Sequence, residues 1–268
     1  MHQVSQMLDC MVFDIETVPD VDLGRRLFAL DGLGDEEVAQ AMFHKQVEKS
    51  GNDFLPLHQH RVVAISIVLR NRAGFRVWSL GEENSSEKEI ITRFFDGIER
   101  FSPTIVSWNG GGFDLPVLHY RSLLHGVSAP RYWETGDDDQ SFRWNNYQSR
   151  FHSRHTDLMD VISGYQPRGR ASLQDVAVML GFPGKLGMSG DKVWPCYVDG
   201  QIATIRNYCE TDVLNTYLIY LQFQMIKGRI ESKQLEKEHE LVEKELAESG
   251  QTHLDEFLSA WKTAGKNS

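Results

Sequence analysis

The sequence predicts an α/β fold with a mixed central sheet that is flanked by helices. Short apolar runs with strand-like alternation come first, and helical and strand-like segments then alternate along the chain. At 268 residues the chain is long enough for one large domain with an extension. With 41% hydrophobic and 25% charged residues, the composition is that of a globular protein with a real core.

Four segments have the pattern of strands, and a fifth is a weaker candidate. The predicted strands are residues 7–13, 62–69, 75–79, 104–107 and, as the fifth, 155–161. The polar turn at 71–74 predicts that the second and third strands form a hairpin. An insertion of about residues 19–60 separates the first two strands, and it carries one helical stretch at 35–48.

Helical spacing recurs around these strands. Residues 86–101 are predicted to form an amphipathic helix that Ser86 caps, and residues 171–180 a short helix that Ser172 caps. Further helices are predicted at 113–125 and 202–227, whereas 135–150 has the composition of a loop and the Gly- and Pro-rich stretch 181–200 that of irregular structure.

The composition becomes rich in Glu and Lys after Gly228. We interpret 231–248 and 252–261 as two helices on the solvent side, with the alternative of a packing arm whose apolar residues contact the domain or a partner. The predicted organisation is therefore a domain over residues 1–227, with the insertion at about 19–60, and a C-terminal helical extension over 228–268.

Charge and cysteine content narrow the functional classes. A net charge of −10 argues against a protein that merely coats nucleic acid, because such proteins carry a basic face, but it suits an enzyme with a cluster of carboxylates. Three widely spaced cysteines give neither a metal knuckle nor an even disulfide framework, which favours a reducing, cytoplasmic location. The lack of a long apolar run predicts no membrane span.

The first motif is a pair of acids at the end of the first hydrophobic strand. Asp14 and Glu16 are one residue apart, so both side chains project from the same face of an extended chain. Two carboxylates placed in this way repel each other, and a hard divalent cation such as Mg²⁺ or Mn²⁺ would hold them together. The alternative that the pair alone leaves open is two solvated acids in a turn.

The second motif follows the fourth predicted strand. Asn109, three glycines and Phe113 precede Asp114, and the glycines permit a tight turn and the close approach of a ligand. Asp114 then lies at or near the start of a helix, where an ordinary helix-start acid is the alternative interpretation. The turn is not a phosphate-binding P-loop, because no Gly-Lys-Ser/Thr follows it.

The third motif lies on the helix predicted at 202–227. Tyr208 and Asp212 are four residues apart and therefore share one face of that helix. A tyrosine at the border of the core, with an exposed acid one turn later, is the alternative for this pair.

Taken in order, the three motifs resemble those of the DEDD superfamily of 3′–5′ exonucleases, and Tyr208 marks the Tyr subclass, DEDDy. The pattern is similar to that of the proofreading exonuclease domain of family B DNA polymerases over roughly residues 7–227. This resemblance implies a ribonuclease H-like fold and a metal-dependent hydrolase that removes nucleotides from the 3′ ends of single-stranded nucleic acid with two divalent cations, Mg²⁺ or Mn²⁺.

The resemblance also implies roles for individual residues. Asp14, Glu16 and Asp212 would bind the first cation, and Asp14 with Asp114 the second. Tyr208 would orient the attacking water, since a neutral phenol is a poor base at neutral pH.

Substrate contacts are expected from three further residues. The backbone of Thr17 and the side chain of Asn109 would bind the terminal nucleotide, and Phe113 would either stack on its base or begin the core of its helix. Asp157 resembles an acid near this site in the family but has an equal claim as a buried structural residue. A stretch with seven basic and four acidic residues over 143–192 is the candidate for a phosphate track; its main members are Arg150, Arg154, Arg168, Arg170, Lys185 and Lys192.

The resemblance favours single-stranded DNA over RNA as the partner. Two alternatives stay open at this stage: an RNA-trimming exoribonuclease of the same fold, and a non-catalytic nucleic-acid-binding module. None of the four carboxylates is missing from the chain, which disfavours the second alternative.

Overall fold

A five-stranded mixed sheet forms the centre of the protein in the computed structural model, which describes residues 9–265. In the order β3-β2-β1-β4-β5, the first three strands pair antiparallel, and β4 and β5 continue the sheet parallel to β1. The strands are β1 (Cys10–Pro19), β2 (His60–Asn71), β3 (Gly74–Ser79), β4 (Thr104–Ser107) and β5 (His155–Asp157). The predicted fold class is confirmed, and the sheet is consistent with a ribonuclease H-like fold.

Helices cover both faces of this sheet. They are α1 (Val21–Phe28), α2 (Asp35–Ser50), α3 (Glu87–Phe101), α4 (Asp114–His125), α5 (Pro130–Trp133), α6 (Leu158–Ile162), α7 (Leu173–Met179), α8 (Val193–Val198), α9 (Ile202–Ile226), α10 (Ser232–Glu248) and α11 (Thr252–Ala264). Alternate residues of β1 enter two different cores: Val12 packs with α9, and Phe13 packs with α3 and α4. In the described part of the chain, no helix is long and apolar enough to cross a membrane.

Strand β1 extends further than the predicted segment 7–13. Its pairing with β2 continues from Cys10 opposite Arg70 to Pro19 opposite His60, with an irregularity between Glu16 and Thr17. The predicted segment was too short at this end, because pairing with β2 continues β1 through both acids and beyond them to Pro19. Residues 7 and 8 of the predicted segment lie outside the described residues.

Capping residues and helical spacing in the sequence correctly predicted most of the longer helices. The Ser86 side chain accepts a hydrogen bond from the Glu89 N–H at 3.2 Å, and that of Ser172 from the Asp175 N–H at 3.1 Å, so both predicted caps are confirmed. The predicted strand 155–161 was wrong in its second half, where α6 begins after Asp157. The stretch 181–200 was wrongly predicted to be irregular throughout, because α8 lies within it, and α1 was not predicted.

The two C-terminal helices pack on the domain rather than on its solvent side. Their apolar residues join the core beside α9; the buried ones are Leu235, Val242, Leu246, Leu254, Phe257, Leu258 and Trp261. Glu238 of α10 is only 2% exposed and accepts hydrogen bonds of 2.7 and 2.9 Å from the Arg70 guanidinium of β2. The interpretation as solvent-side helices was wrong, whereas the alternative of an arm that packs on the domain is confirmed. The Glu- and Lys-rich composition of α10 concealed its buried face, which includes this ion pair. The boundary at residue 228 stays a prediction.

Candidate active site

Three elements bring four carboxylates together. Strand β1 contributes Asp14 and Glu16, the first turn of α4 contributes Asp114, and α9 contributes Asp212. Asp114 is fixed against β1, because its Oδ1 accepts a hydrogen bond of 3.1 Å from the N–H of Ile15. Asp14 is partly buried, and the other three carboxylates are buried. The acids that sequence motifs singled out thus belong to one site.

Burial and mutual repulsion disfavour the charged forms of these acids. Burial raises the pKa values of Asp14 and Glu16 well above the ordinary range, and neighbouring carboxylates raise them further. Burial raises the pKa of Asp114 to about 7. It raises that of Asp212 to about 6, although the Lys185 ammonium counteracts this effect. Four such carboxylates are costly to bury unless positive charge compensates them.

The donor set fits divalent cations. Oδ1 of Asp212 is buried and has no hydrogen-bond partner in the described part of the chain. This oxygen is therefore available as a ligand for a cation. Carboxylate oxygens are the ligands that Mg²⁺ and Mn²⁺ prefer. Atoms of Asp14, Glu16 and Cys209 that are able to bind a metal lie within 4.8 Å of one another.

The thiol of Cys209 acts differently from the acids beside it. Burial, with Asp14 and Glu16 nearby, raises the pKa of this thiol well above its usual range, so it stays protonated. Its Sγ lies 3.4 Å from the carbonyl oxygen of Asp14 and 3.6 Å from Oδ2 of that residue, as a donor to both. Cys209 therefore positions Asp14, a role that no motif in the sequence signals.

The glycine-rich turn is held by Asp157. Its carboxylate accepts hydrogen bonds of 3.0 Å from the N–H of Asn109 and 2.9 Å from that of Gly111. Asn109 adopts a φ of 66°, and any side chain at Gly110 would collide with Ser107. Asp157 is thus a buried acid that shapes the turn before Asp114, and the structure favours this interpretation over a place among the metal ligands.

Lys185 reaches the tyrosine of the third motif. Its Nζ donates a hydrogen bond of 2.7 Å to the hydroxyl oxygen of Tyr208 and lies 3.8 Å from Oδ2 of Asp212. Burial raises the pKa of Tyr208 far above its usual value, and the neighbouring carboxylates Asp212 and Glu16 add to this effect, so the phenol is neutral. The bond places a positive charge within a site that is otherwise acidic.

The loop that carries Lys185 is anchored on α9 itself. The Asn215 side chain accepts a hydrogen bond of 3.1 Å from the N–H of Gly184 and donates one of 2.9 Å to its carbonyl. The side-chain oxygen of Gln174, in α7, accepts a hydrogen bond from the N–H of Lys185. Sequence reasoning placed this lysine on a phosphate track and missed its contact with Tyr208.

Aromatic rings border the site where substrate contacts were expected. Oγ1 of Thr17 lies 2.8 Å from Nδ1 of His60, and the His60 ring meets that of Phe113 edge-on at 5.2 Å. Phe54, from the insertion, lies 5.6 Å from the Phe113 ring and is 57% exposed. Phe113 is partly buried against the core. The side-chain oxygen of Asn109 lies beside Gly112.

The basic residues over 143–192 do not form one track. Arg154 packs its guanidinium 3.7 Å above the Phe142 ring and binds the Asn145 carbonyl, so it stabilises its own loop. Arg150 and Arg170 both lie beside Asp160, Lys185 belongs to the carboxylate site, and Lys192 is exposed.

A protein-family model matches a range of the chain that includes part of this site. A family model described as predicted 3′–5′ exonucleases related to the exonuclease domain of PolB matches residues 52–261. The match includes Asp114, Lys185, Tyr208 and Asp212, whereas Asp14 and Glu16 precede it.

Curated relatives match a shorter part of the chain. The DNA polymerase epsilon catalytic subunits A of Emericella nidulans and Aspergillus fumigatus are each 30% identical over 148 residues, which is 52% of this chain and 6% of either relative. That of Saccharomyces cerevisiae is 26% identical over 151 residues, again 52% of this chain and 6% of the relative. The chain therefore matches only a small part of these polymerase subunits.

Proposed function

This chain belongs to the family of predicted 3′–5′ exonucleases related to the exonuclease domain of PolB, and on that premise we propose that it removes nucleotides from the 3′ ends of single-stranded nucleic acid in a reaction that requires two divalent cations. The observation that carries the proposal is the convergence of Asp14, Glu16, Asp114 and Asp212 from three separate elements. DNA is the favoured substrate, because the relatives described above are DNA polymerase subunits by name.

The carboxylates would hold the cations. Asp14, Glu16 and Asp212 would bind one, and Asp14 with Asp114 the other. A pair of divalent cations stabilises the charge on the attacking and leaving oxygens of a phosphodiester. In the overall reaction a water oxygen forms a bond to phosphorus, and the bond from phosphorus to the 3′ oxygen of the preceding nucleotide breaks. That oxygen takes a proton, which leaves a nucleoside 5′-monophosphate and a strand shortened by one residue.

Tyr208 and Lys185 would orient the reacting groups. Because Lys185 donates to the phenol oxygen, Tyr208 keeps its own proton as a donor beside Asp212, and this proton would orient the attacking water at the phosphate. This geometry supports assignment to the Tyr subclass. The ammonium of Lys185 would also stabilise negative charge that develops on the phosphate.

The substrate end would lie along the aromatic border of the site. Phe113 would stack on the terminal base, and the Thr17 backbone with the Asn109 side chain would bind the terminal nucleotide. Thr17 and Phe113 are each one residue from a carboxylate of the cluster, Glu16 and Asp114 respectively.

The proposal is tested with single strands of DNA and RNA labelled at the 3′ or 5′ end, incubated in Mg²⁺, Mn²⁺ or EDTA. We expect stepwise shortening from the 3′ end that EDTA and Asp14→Asn abolish and that the exposed control Asp96→Asn leaves unchanged. Binding of either polymer without cleavage in any metal would overturn the proposal in favour of a non-catalytic binding module. Faster cleavage of RNA than of DNA would identify an RNA-trimming enzyme.

A further inference from the structure

One surface beyond the glycine turn of the carboxylate site combines an exposed phenylalanine and a partly buried tyrosine with arginines. The arginine–aromatic surface consists of Arg150, Phe151, Tyr165, Arg168 and Arg170. We infer that it binds the single strand upstream of the 3′ end, with bases stacked on Phe151 and phosphates bound by the arginines. The inference rests on the proposed function, which identifies the strand as the single-stranded nucleic-acid substrate. It adds a second binding surface for that substrate, outside the catalytic site.

The ring of Phe151 is open to solvent and is held in place by Tyr165, which is partly buried. Phe151 is 74% exposed, and its ring meets that of Tyr165 edge-on at 5.2 Å. The guanidinium carbon of Arg150 lies 4.5 Å from the centre of the Tyr165 ring and 5.4 Å from that of Phe151. Aromatic rings that stack on arginine offer flat faces to unpaired bases of any sequence.

The backbone of Tyr165 is strained in a way that fixes its ring. Its φ is 61°, in the left-handed region that a bulky side chain rarely adopts. The N–H of Tyr165 donates a 2.7 Å hydrogen bond to the Asp160 carbonyl, and its hydroxyl donates one of 3.0 Å to the Arg150 carbonyl. Such strain persists only where surrounding contacts impose it, and it is frequent at binding sites.

Positive charge on this surface exceeds what its one acid neutralises. Asp160 accepts a 2.6 Å hydrogen bond from Arg170 but lies 4.0 Å from the Arg150 guanidinium, which keeps its donors available. Arg168 is exposed and has no acidic partner among the described residues. Over residues 143–170 the chain has five arginines and two buried aspartates, whereas its net charge is −10. Within an acidic protein, this segment is therefore complementary to a polyanion.

The arginine–aromatic surface adjoins the catalytic site through a short connection. Asp157, which holds the glycine turn, caps α6, and that helix of five residues is about 8 Å long and leads toward Tyr165. The N–H of Asp160 donates a hydrogen bond of 3.4 Å to Oδ1 of Asp157, so the two acids lie side by side at the start of this helix. A strand whose 3′ end reaches Asp114 would have to extend past the glycine turn and along α6 to meet this surface.

The test compares two Arg-Phe pairs of the same chain. Arg150→Gln and Phe151→Ala alter the proposed surface, and Arg100→Gln and Phe101→Ala are matched controls, since the Arg100 guanidinium lies 5.0 Å above a ring that is 48% exposed. Binding of fluorescein-labelled oligothymidylate and oligouridylate, about 4 and about 20 nucleotides long, is measured in EDTA, where cleavage does not occur. Steady-state cleavage of the same DNA and RNA strands is measured in Mg²⁺.

For the long strands we expect Phe151→Ala to weaken binding and raise KM about tenfold, with kcat unchanged and the short strands unaffected. Arg150→Gln should lower the slope of log affinity against log salt by about 0.7. Equal effects in the control pair, or none in either pair, would overturn the inference while leaving cleavage intact. Loss of long-strand binding in Phe151→Ala, with no cleavage by the wild type, would support the surface and refute the exonuclease function.

Discussion

The Lys185 ammonium donates a 2.7 Å hydrogen bond to the Tyr208 hydroxyl oxygen, so a residue from an irregular loop fixes the phenol of the third motif. The hydroxyl oxygen is the acceptor in this bond, which leaves the phenolic proton as a donor for substrate or water. Tyr208 is for this reason better suited to orient a reactant than to remove a proton from it.

Lys185→Met should lower kcat by about 100-fold, since the phenol loses its anchor and the phosphate loses a nearby cation. Lys192→Met is the matched control, because Lys192 is exposed and its Nζ lies 3.3 Å from a carbonyl of its own loop. Steady-state rates on a 3′-labelled single strand provide the measurement. Identical kcat values for the two variants would show that Lys185 serves only to fold its loop.

Metal should stabilise the fold because it compensates the repulsion among the four acids. At a cation concentration 100 times the dissociation constant, we expect the free energy of unfolding to rise by about 2.7 kcal/mol. Asp14→Asn should melt at a higher temperature than the wild type in EDTA, because a neutral amide replaces a buried carboxyl that folding must either protonate or leave charged. The variant should gain little from Mg²⁺ or Mn²⁺. Thermal unfolding with and without metal measures both effects, and a variant that gains as much as the wild type would argue against Asp14 as a ligand.

The metal-free protein should become less stable as the pH rises through the titration of Asp114. Burial raises the pKa of this acid from 3.8 to about 7, so between these values the folded protein binds more protons than the unfolded chain. Its free energy of unfolding then falls with increasing pH, by at most about 1.4 kcal/mol per pH unit for this proton.

Asp114→Asn removes this titration but keeps an oxygen that is able to accept the N–H of Ile15. Urea unfolding in EDTA at a series of pH values should therefore give a flatter pH dependence for the variant than for the wild type. The exposed control Asp96→Asn should follow the wild type. Parallel curves for wild type and Asp114→Asn would contradict the raised pKa.

Removing Glu238 should destabilise the protein strongly. Glu238→Ala leaves the guanidinium of Arg70 buried without its partner, which costs about 3–5 kcal/mol. The pair Lys244–Glu248 lies on the same helix with both side chains 65% exposed, so Glu248→Ala should cost less than about 1 kcal/mol. Urea unfolding compares the two, and equal losses would show that α10 does not depend on its anchor.

Local patterns in the sequence predicted which residues belong to the site, but they did not predict the contacts between those residues. The spacing of Asp14 and Glu16, the glycine turn before Asp114 and the helical position of Asp212 are local, so the motifs were visible. Lys185 and Tyr208 are 23 positions apart in the sequence, and Asp157 and Gly111 are 46 positions apart. The periodicity of helices and strands does not predict contacts over such separations.

Errors in the predicted fold have the same origin. Strand β1 continues to Pro19 because it pairs with His60, across an insertion that sequence periodicity does not bridge. Helix α10 looked solvated because its sequence is rich in Glu and Lys. The burial of Glu238 follows from contacts with Arg70 and Tyr217, which are distant in the sequence. Glycines and prolines around α8 hid a short helix that ends at Val198.

The ion pair between Arg70 and Glu238 also has a consequence for biogenesis, because 168 positions of chain separate its partners. Contacts between distant parts of a chain slow folding, since long loops must close before the contacts form. Asp14 is synthesised before its neighbour Cys209, which follows 195 positions later. The carboxylate cluster therefore assembles only after α9, which carries Asp212, has been translated, so a nascent chain that ends before this helix lacks the proposed metal site.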